Sequence, residues 1–152
     1  MEYVLDSLRN NPADRRMVIN GWRPDKLSEL SLPCCHHSYQ FWSDGKVVDL
    51  LWIQRSGDWM VGVPSDMVFA SVMLLSFADL AGYVPRNVSM VIGDAHIYEE
   101  HIPAAEKHIK RLPWFPPTYK LKPQKDLYSF VPEDLEISNY QYNKPIKYLL
   151  KD

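Results

Sequence analysis

The sequence predicts one α/β (α+β) domain with a mixed sheet and a single long, dominant helix, and three observations carry that prediction. Residues 32–55 read as two apolar strands joined at Ser43-Asp44-Gly45-Lys46, where the Asp-Gly pair supplies favoured hairpin chemistry. Residues 65–81 form a long apolar stretch, with Ser65 placed as N-cap, Asp66 in the first turn and Gly82 as the stop. Val88 to Ile92 then returns as a further apolar strand. A chain of 152 residues can bury one sizeable core. No internal repeat, low-complexity run or domain-scale linker divides it, so residues 1–152 are expected to form one domain.

The remaining elements follow in order. Tyr3, Val4, Leu5 and Leu8 recur at helical spacing, and Asn11-Pro12 ends that opening helix because a residue before proline avoids the helical region. Met17-Val18-Ile19 reads as a short strand, and Pro24 to Leu30 as a short helix with proline in its first turn. The segment carrying both cysteines leads into a strand ending at Trp42, and Val47 to Arg55 is its partner. Ser56 to Pro64 reads as irregular, punctuated by Gly57, Gly62 and Pro64. The long helix is apolar nearly all round, so it should be central and buried. A helix from about Pro103 to Arg111 and strands at Thr118–Leu121 and Leu135–Ile137 complete the chain.

Composition excludes several classes. The chain is 46% hydrophobic and 24% charged, and its net charge of −2 does not indicate a large basic surface for nucleic acid. Two neighbouring cysteines make no disulfide framework; free thiols fit a reducing compartment, so a cytoplasmic location is expected. The apolar stretch near Met67–Leu80 is interrupted by Ser71, Ser76 and Asp79, so neither a signal peptide nor a membrane-spanning helix is expected.

The chemistry concentrates in Cys34-Cys35-His36-His37. Four consecutive side chains cannot converge on one zinc ion, which needs spacers between its ligands, and the glutamate and Pro-Cys-x-x-Cys pattern of zinc deaminases is missing. For an arbitrary cysteine, a buried structural thiol is the ordinary expectation. Here Arg55-Ser56 lies one hairpin downstream, offering a guanidinium fork suited to phosphate and a cation beside a thiol. If the cysteines lie on a strand, only one of the two thiols can share a face with a given pocket. His96 and Tyr98 lie two apart at a strand end and can present two hydrogen-bonding tips together. Arg15-Arg16, taken alone, reads as a solvated charge pair. Together these segments point to a thiolate attacking an electrophilic ring on a phosphorylated substrate.

Leu32-Pro33-Cys34-Cys35-His36 resembles the Leu-Pro-Pro-Cys-His segment of thymidylate synthases. Gln40-Phe41, Gln54-Arg55-Ser56-Gly57-Asp58, Gly62-Val63-Pro64 and Gly93-Asp94-Ala95-His96-Ile97-Tyr98 follow in that family's order and spacing, and Pro145-Ile146-Lys147 resembles its tail. The resemblance implies a thymidylate synthase-like mixed sheet, with Cys35 as nucleophile and His36 beside it in the catalytic set. It implies that Arg55 and Ser56 hold the 5′-phosphate, and that Arg15 and Arg16 reach the phosphate of a partner subunit in a homodimer. Gln54 would support the base, His96 and Tyr98 would bind the sugar hydroxyl, and Asp58 and Gly62 would contact the cofactor, 5,10-methylenetetrahydrofolate. The implied substrate is a pyrimidine nucleotide monophosphate, dCMP or dUMP, with no metal ion.

Three departures refine these expectations. Asp66 stands where uracil-specific members carry asparagine, and resembles the residue of phage deoxycytidylate hydroxymethylases; a carboxylate only accepts hydrogen bonds and so suits a cytosine amino group. Ser65 stands in place of a phenylalanine that packs on the folate. The match corresponds to the C-terminal portion of the family fold, leading to the expectation of a split enzyme whose N-terminal block comes from a separately encoded chain. A thymidylate synthase, a dUMP hydroxymethylase and a non-catalytic nucleotide-binding or dimerisation subunit are the alternatives.

Overall fold

In the computed structural model, which describes residues 1–148, helix α1 (Glu2–Asn10) leads to strand β1 (Val18–Asn20) and a 3-10 helix (Pro24–Glu29). The hairpin strands β2 (His36–Ser43) and β3 (Val47–Asp58), helix α2 (Gly62–Ala81) and strand β4 (Val84–His96) form the centre. Helix α3 (Ile102–Ile109) follows, and β5 (Thr118–Leu121) pairs with β6 (Leu135–Ser138) as a separate two-stranded ribbon. The main sheet has the order β1-β2-β3-β4. Its first two pairings are antiparallel and β3–β4 is parallel, so the mixed sheet predicted from the sequence is present.

Period-two alternation on β3 explains the layering. Val48, Leu50, Trp52 and Gln54 are buried against the helices, while Asp49, Leu51, Ile53 and Arg55 point to the opposite face. Tyr39 and Phe41 continue the buried row on β2, and Phe41 packs its ring 4.4 Å from that of Phe77 on α2. Helix α1 adds Val4, Leu5 and Leu8 to the same core. Arg9 donates from Nε and Nη2 to the Leu80 carbonyl at 2.9 and 2.7 Å, tying α1 to the C-terminal end of α2. Gly82 takes the left-handed conformation (φ 74°) that ends α2, as the sequence predicts.

Several boundaries differ from expectation, each for a physical reason. Helix α2 begins at Gly62, with Val61 as its N-cap and no side-chain cap. Ser65 is therefore not the N-cap, and Asp66 lies beyond the first turn. Pro64 is accommodated because the first helical N–H groups have no intrahelical acceptor to lose. Ser56–Asp58 is strand and not irregular, since β4 runs on to His96 and pairs with it: Ser56 faces Asp94 and Asp58 faces His96. The cysteines lie before β2, so the strand pleat does not assign their thiols to opposite faces.

The long helix is central but not buried all round. Ala70, Leu74, Phe77 and Ala78 pack on the sheet, whereas Met67, Val68 and Phe69 are 50%, 60% and 50% exposed. By length and composition α2 could cross a membrane; in this fold it is the crossover of the parallel β3–α2–β4 unit.

Candidate active site

Arg55 organises the cysteine segment. Its backbone N–H donates to the Cys35 carbonyl at 2.9 Å, which docks the loop on β3. Its side chain turns back over the same loop, with Nε donating to the Cys34 carbonyl at 3.0 Å and Nη2 to the Pro33 carbonyl at 2.8 Å. Nη2 also comes to 3.8 Å from Cys35 Sγ. The guanidinium thus meets the Cys35 sulfur, while Cys34 Sγ lies 3.8 Å from the Gly21 carbonyl. A cation held beside a sulfur is the environment in which a thiolate is stabilised.

His36 begins β2 opposite Gln54, with its ring 4.8 Å from that of Trp52. Its Nδ1 pairs with the Tyr39 hydroxyl. Burial pushes the Tyr39 hydroxyl pKa upward, and the nearby Asp66 carboxylate adds to the shift. The hydroxyl therefore stays protonated as a fixed partner of the imidazole.

Gln54 is almost completely buried, and its amide is oriented by its neighbours. Trp52 Nε1–H, which can only donate, points at Oε1 at 2.9 Å; the Asp66 carboxylate, which only accepts when ionised, receives Nε2–H at Oδ2, also at 2.9 Å. One orientation of the amide satisfies both. Asp66 Oδ1 has no hydrogen-bond partner among the described residues, so the carboxylate turns an acceptor outward.

At the far end of β3 and β4, the parallel register sets Ser56 beside Asp94 and Asp58 beside His96. Asp58 Oδ1 accepts from the Met60 N–H at 2.9 Å, and the Trp59 N–H donates to the His96 carbonyl at 3.0 Å. The His96 and Tyr98 rings stand edge to face with centroids 5.1 Å apart, and His96 Nδ1 lies 3.3 Å from the Asp94 carbonyl. Gly62 opens α2 above Asp58 in the chain, and a largely apolar cavity of about 420 Å³ lies beside them, lined by Trp59, Val63, Met67 and Ile92 among others.

Arg15 and Arg16 are not brought to this site within the chain. They are exposed and line a separate cavity with Asn11, Ala13 and Asp14. Asp14 holds Arg16 Nε at 3.0 Å and also accepts from Tyr3 at 2.7 Å. Gln54 and Arg55, adjacent in sequence, point to opposite faces of β3. The sequence-predicted residues therefore form an amide–carboxylate group (Gln54, Asp66), a cation–thiol group (Cys35, Arg55) and a strand-end group (Ser56, Asp58, His96, Tyr98).

Sequence reasoning missed the supports. Tyr39 and Trp52 are register partners across the hairpin, and the signal available was their place in the alternating buried rows. In the sequence, Gly57 reads as punctuation and Gly93 as part of a motif. A Cβ on Gly57 would meet Val63 Cγ2 at 2.8 Å, and one on Gly93 would meet the Arg55 carbonyl at 3.0 Å. Both glycines allow β3, β4 and α2 to approach closely where the site residues emerge.

The family described as Thymidylate synthase matches residues 1–151, and the chain belongs to that family. It is 33% identical over 145 residues to a bifunctional dihydrofolate reductase-thymidylate synthase of Zea mays, covering 95% of this chain and 28% of that protein. Bifunctional dihydrofolate reductase-thymidylate synthase 2 of Arabidopsis thaliana is 34% identical over 144 residues, with 94% and 26% covered. Among solved structures, the thermostable thymidylate synthase A from Bacillus subtilis superposes with a TM-score of 0.92 at 28% identity, covering 98% of this chain and 54% of that one. The thymidylate synthase-like fold is thus present, and the chain spans about half of that solved chain and under a third of the plant proteins.

Proposed function

We propose that this chain carries the nucleotide-handling part of a one-carbon transferase acting at C5 of a pyrimidine nucleotide. The observation that carries this reading is Arg55, which holds the cysteine loop by two carbonyls and sets Nη2 3.8 Å from Cys35 Sγ. Cys35 sulfur would bond to C6 of the base, and the C5–C6 π pair would move to C5, making C5 nucleophilic toward a one-carbon donor. His36, held by Tyr39 and Trp52, supports this centre. Ser56 and Arg55 hold the 5′-phosphate, and His96 and Tyr98 bind the sugar hydroxyl. The residues at the start of α2 fit a folate: Asp58 retains a carboxylate oxygen, Oδ2, without a hydrogen-bond partner among the described residues, and Trp59 is an exposed aromatic surface beside it. Asp58 and Gly62 would hold 5,10-methylenetetrahydrofolate, which when bound supplies the one-carbon unit.

The base is cytosine in this reading, as in phage deoxycytidylate hydroxymethylases. Gln54 consumes one oxygen of Asp66, and the other presents an acceptor that matches the cytosine amino group. Uracil O4 would set acceptor against acceptor, at about 1–3 kcal/mol. The names of the plant and Bacillus relatives favour the second reading, a uracil nucleotide.

The assembly is a homodimer, in the cytoplasm, joined by a chain that supplies the N-terminal part of the family fold. Arg15 and Arg16 lie away from the chain's own Cys35, as residues that complete a neighbour's phosphate site do. The exposed face of α2 and the apolar cavity between it and β5–β6, lined by Val68, Leu75, Tyr119 and Ile137 among others, would take the N-terminal chain.

The test is adduct formation with 5-fluoro-dCMP and 5-fluoro-dUMP, each with methylenetetrahydrofolate and a candidate N-terminal chain. Mass spectrometry under denaturing conditions is expected to place the adduct on Cys35, to lose it in Cys35→Ser and to retain it in Cys34→Ala. An adduct on Cys34 would overturn the nucleophile assignment. No adduct with any partner would favour a non-catalytic nucleotide-binding or dimerisation subunit.

A further inference from the structure

Cys34 has no part in the chemistry above, yet its thiol is the immediate neighbour of Cys35. Both are free cysteines with intermediate exposure, and both precede β2, so no strand pleat separates their side chains. Their surroundings differ. Arg55 Nη2 faces Cys35 Sγ, whereas Cys34 Sγ lies against the Gly21 carbonyl on the loop after β1. What anchors the loop is its carbonyls: Pro33 and Cys34 to the Arg55 side chain, Cys35 to the Arg55 N–H. Beyond that anchoring, the two sulfurs make only the 3.8 Å contacts to Arg55 Nη2 and to the Gly21 carbonyl. One sulfur therefore sits beside a cation, and a second sulfur is one residue away to answer for it.

We propose that Cys34-Cys35 is a redox-reactive vicinal dithiol, a modification site for peroxides in which Cys35 is attacked first and Cys34 resolves it. The Cys35 thiolate attacks the O–O bond of hydrogen peroxide, giving Cys35 S–OH and hydroxide, which takes up the proton to leave as water. The Cys34 thiol then displaces the hydroxyl of the sulfenic acid as a second water and closes the S–S bond. The sulfur pair loses two electrons and the peroxide gains them. A small dithiol reverses the step by thiol–disulfide exchange.

Chain geometry makes the product labile. Consecutive Cα atoms lie about 3.8 Å apart across a trans peptide. Ordinary disulfides span about 4.4–6.8 Å, and a bond forced outside that range is strained and easily reduced. A labile bond is suited to protecting a reactive thiol, because it diverts the sulfenic acid from irreversible sulfinic acid. That it also silences the enzyme rests on the reading of Cys35 as nucleophile.

The experiment treats the full chain with hydrogen peroxide and follows intact mass, a peptide map of residues 31–41 and a non-reducing gel. Wild type is expected to lose about 2 Da, with both thiols disappearing together, no covalent dimer, and full recovery in dithiothreitol. Cys34→Ala is expected to gain about 16 and then about 32 Da at Cys35, the latter not recovered by dithiothreitol. Sulfinic acid accumulating on wild-type Cys35 as fast as in Cys34→Ala would overturn the proposal, as would disulfides only between chains. Should Cys34→Ala misfold, the wild-type peptide map alone decides, since it either contains the 34–35 cross-link or does not. A parallel adduct assay separates the two readings. Reduced wild type that forms no fluoropyrimidine adduct counts against the transferase reading, while the mass result still judges the dithiol.

Discussion

Asp66 and Asp14 show how much a single carboxylate can decide. The Asp66 outward oxygen is an acceptor because Gln54, locked by Trp52, already donates to the inner one. Asp66→Asn would keep an oxygen for Gln54 and turn an amide N–H outward. The expected outcome is a shift of adduct yield from 5-fluoro-dCMP toward 5-fluoro-dUMP by roughly tenfold or more, given about 1–3 kcal/mol for the mismatched pair. Equal yields in both proteins would count against Asp66 as the base reader. Asp14 accepts from Tyr3 and from the backbone and side chain of Arg16, and these bonds hold its carboxyl well below the usual carboxylate range. A folded-state pKa below the unfolded one stabilises the protein above the unfolded value, near 3.8. The stabilisation drains away as pH falls below that value. Asp14→Asn should therefore lower the urea midpoint at pH 7, with the difference from wild type shrinking in acid; a constant difference from pH 7 to pH 3 would refute the linkage.

At the scale of elements, the meeting of β3, β4 and α2 is controlled by side chains that are not there. Gly57→Ala would drive a Cβ into Val63 and Ile92, and overpacking of this kind costs about 1–3 kcal/mol. Gly62→Ala meets only an Asp66 oxygen, at 4.0 Å, so it should change stability little. Chemical denaturation of the two variants reads the contrast, and equal stabilities would show that β3 and α2 can separate without cost. Arg9 acts between elements too. Its two hydrogen bonds to the Leu80 carbonyl couple the first helix to the end of α2, so Arg9→Ala should cost about 1–3 kcal/mol in the same measurement.

For the whole molecule, the governing fact is that the helices cover one face of the main sheet and leave the other to be met from outside. Val18, Trp42 and Val91 are about half exposed on that face, and Arg86 lies over the Trp42 ring at 5.3 Å. If this is the face through which the proposed homodimer forms, Trp42→Glu should convert the chain to a monomer in light scattering, with circular dichroism unchanged. A variant that keeps wild-type mass would place the dimer elsewhere. The bare α2 surface makes a separate prediction. Adding the proposed N-terminal chain should protect Met67 from oxidation, while leaving the dimer mass contribution of this chain intact.

The sequence by itself determined the elements whose cause is local and the residues whose chemistry is rare. The Asp-Gly turn, the Gly82 stop and the alternation along 36–55 are written in neighbouring residues, and so they were legible. Cys35, Arg55, Asp66 and the His96–Tyr98 pair are singled out by motifs in register, which name residue types without needing coordinates; their roles belong to the proposal. Tertiary structure decided what depends on distant partners. The extension of β3 to Asp58 exists because β4 pairs with it in parallel, a contact no window of sequence contains. The start of α2 at Gly62, and the release of Asp66 from a capping role to its place against Gln54, follow from packing across the chain. The same holds for the placement of Gln54 and Arg55 on opposite faces. It holds also for the half-bare surface of α2, whose apolar composition reports that a face can be buried but not which element of the fold buries it.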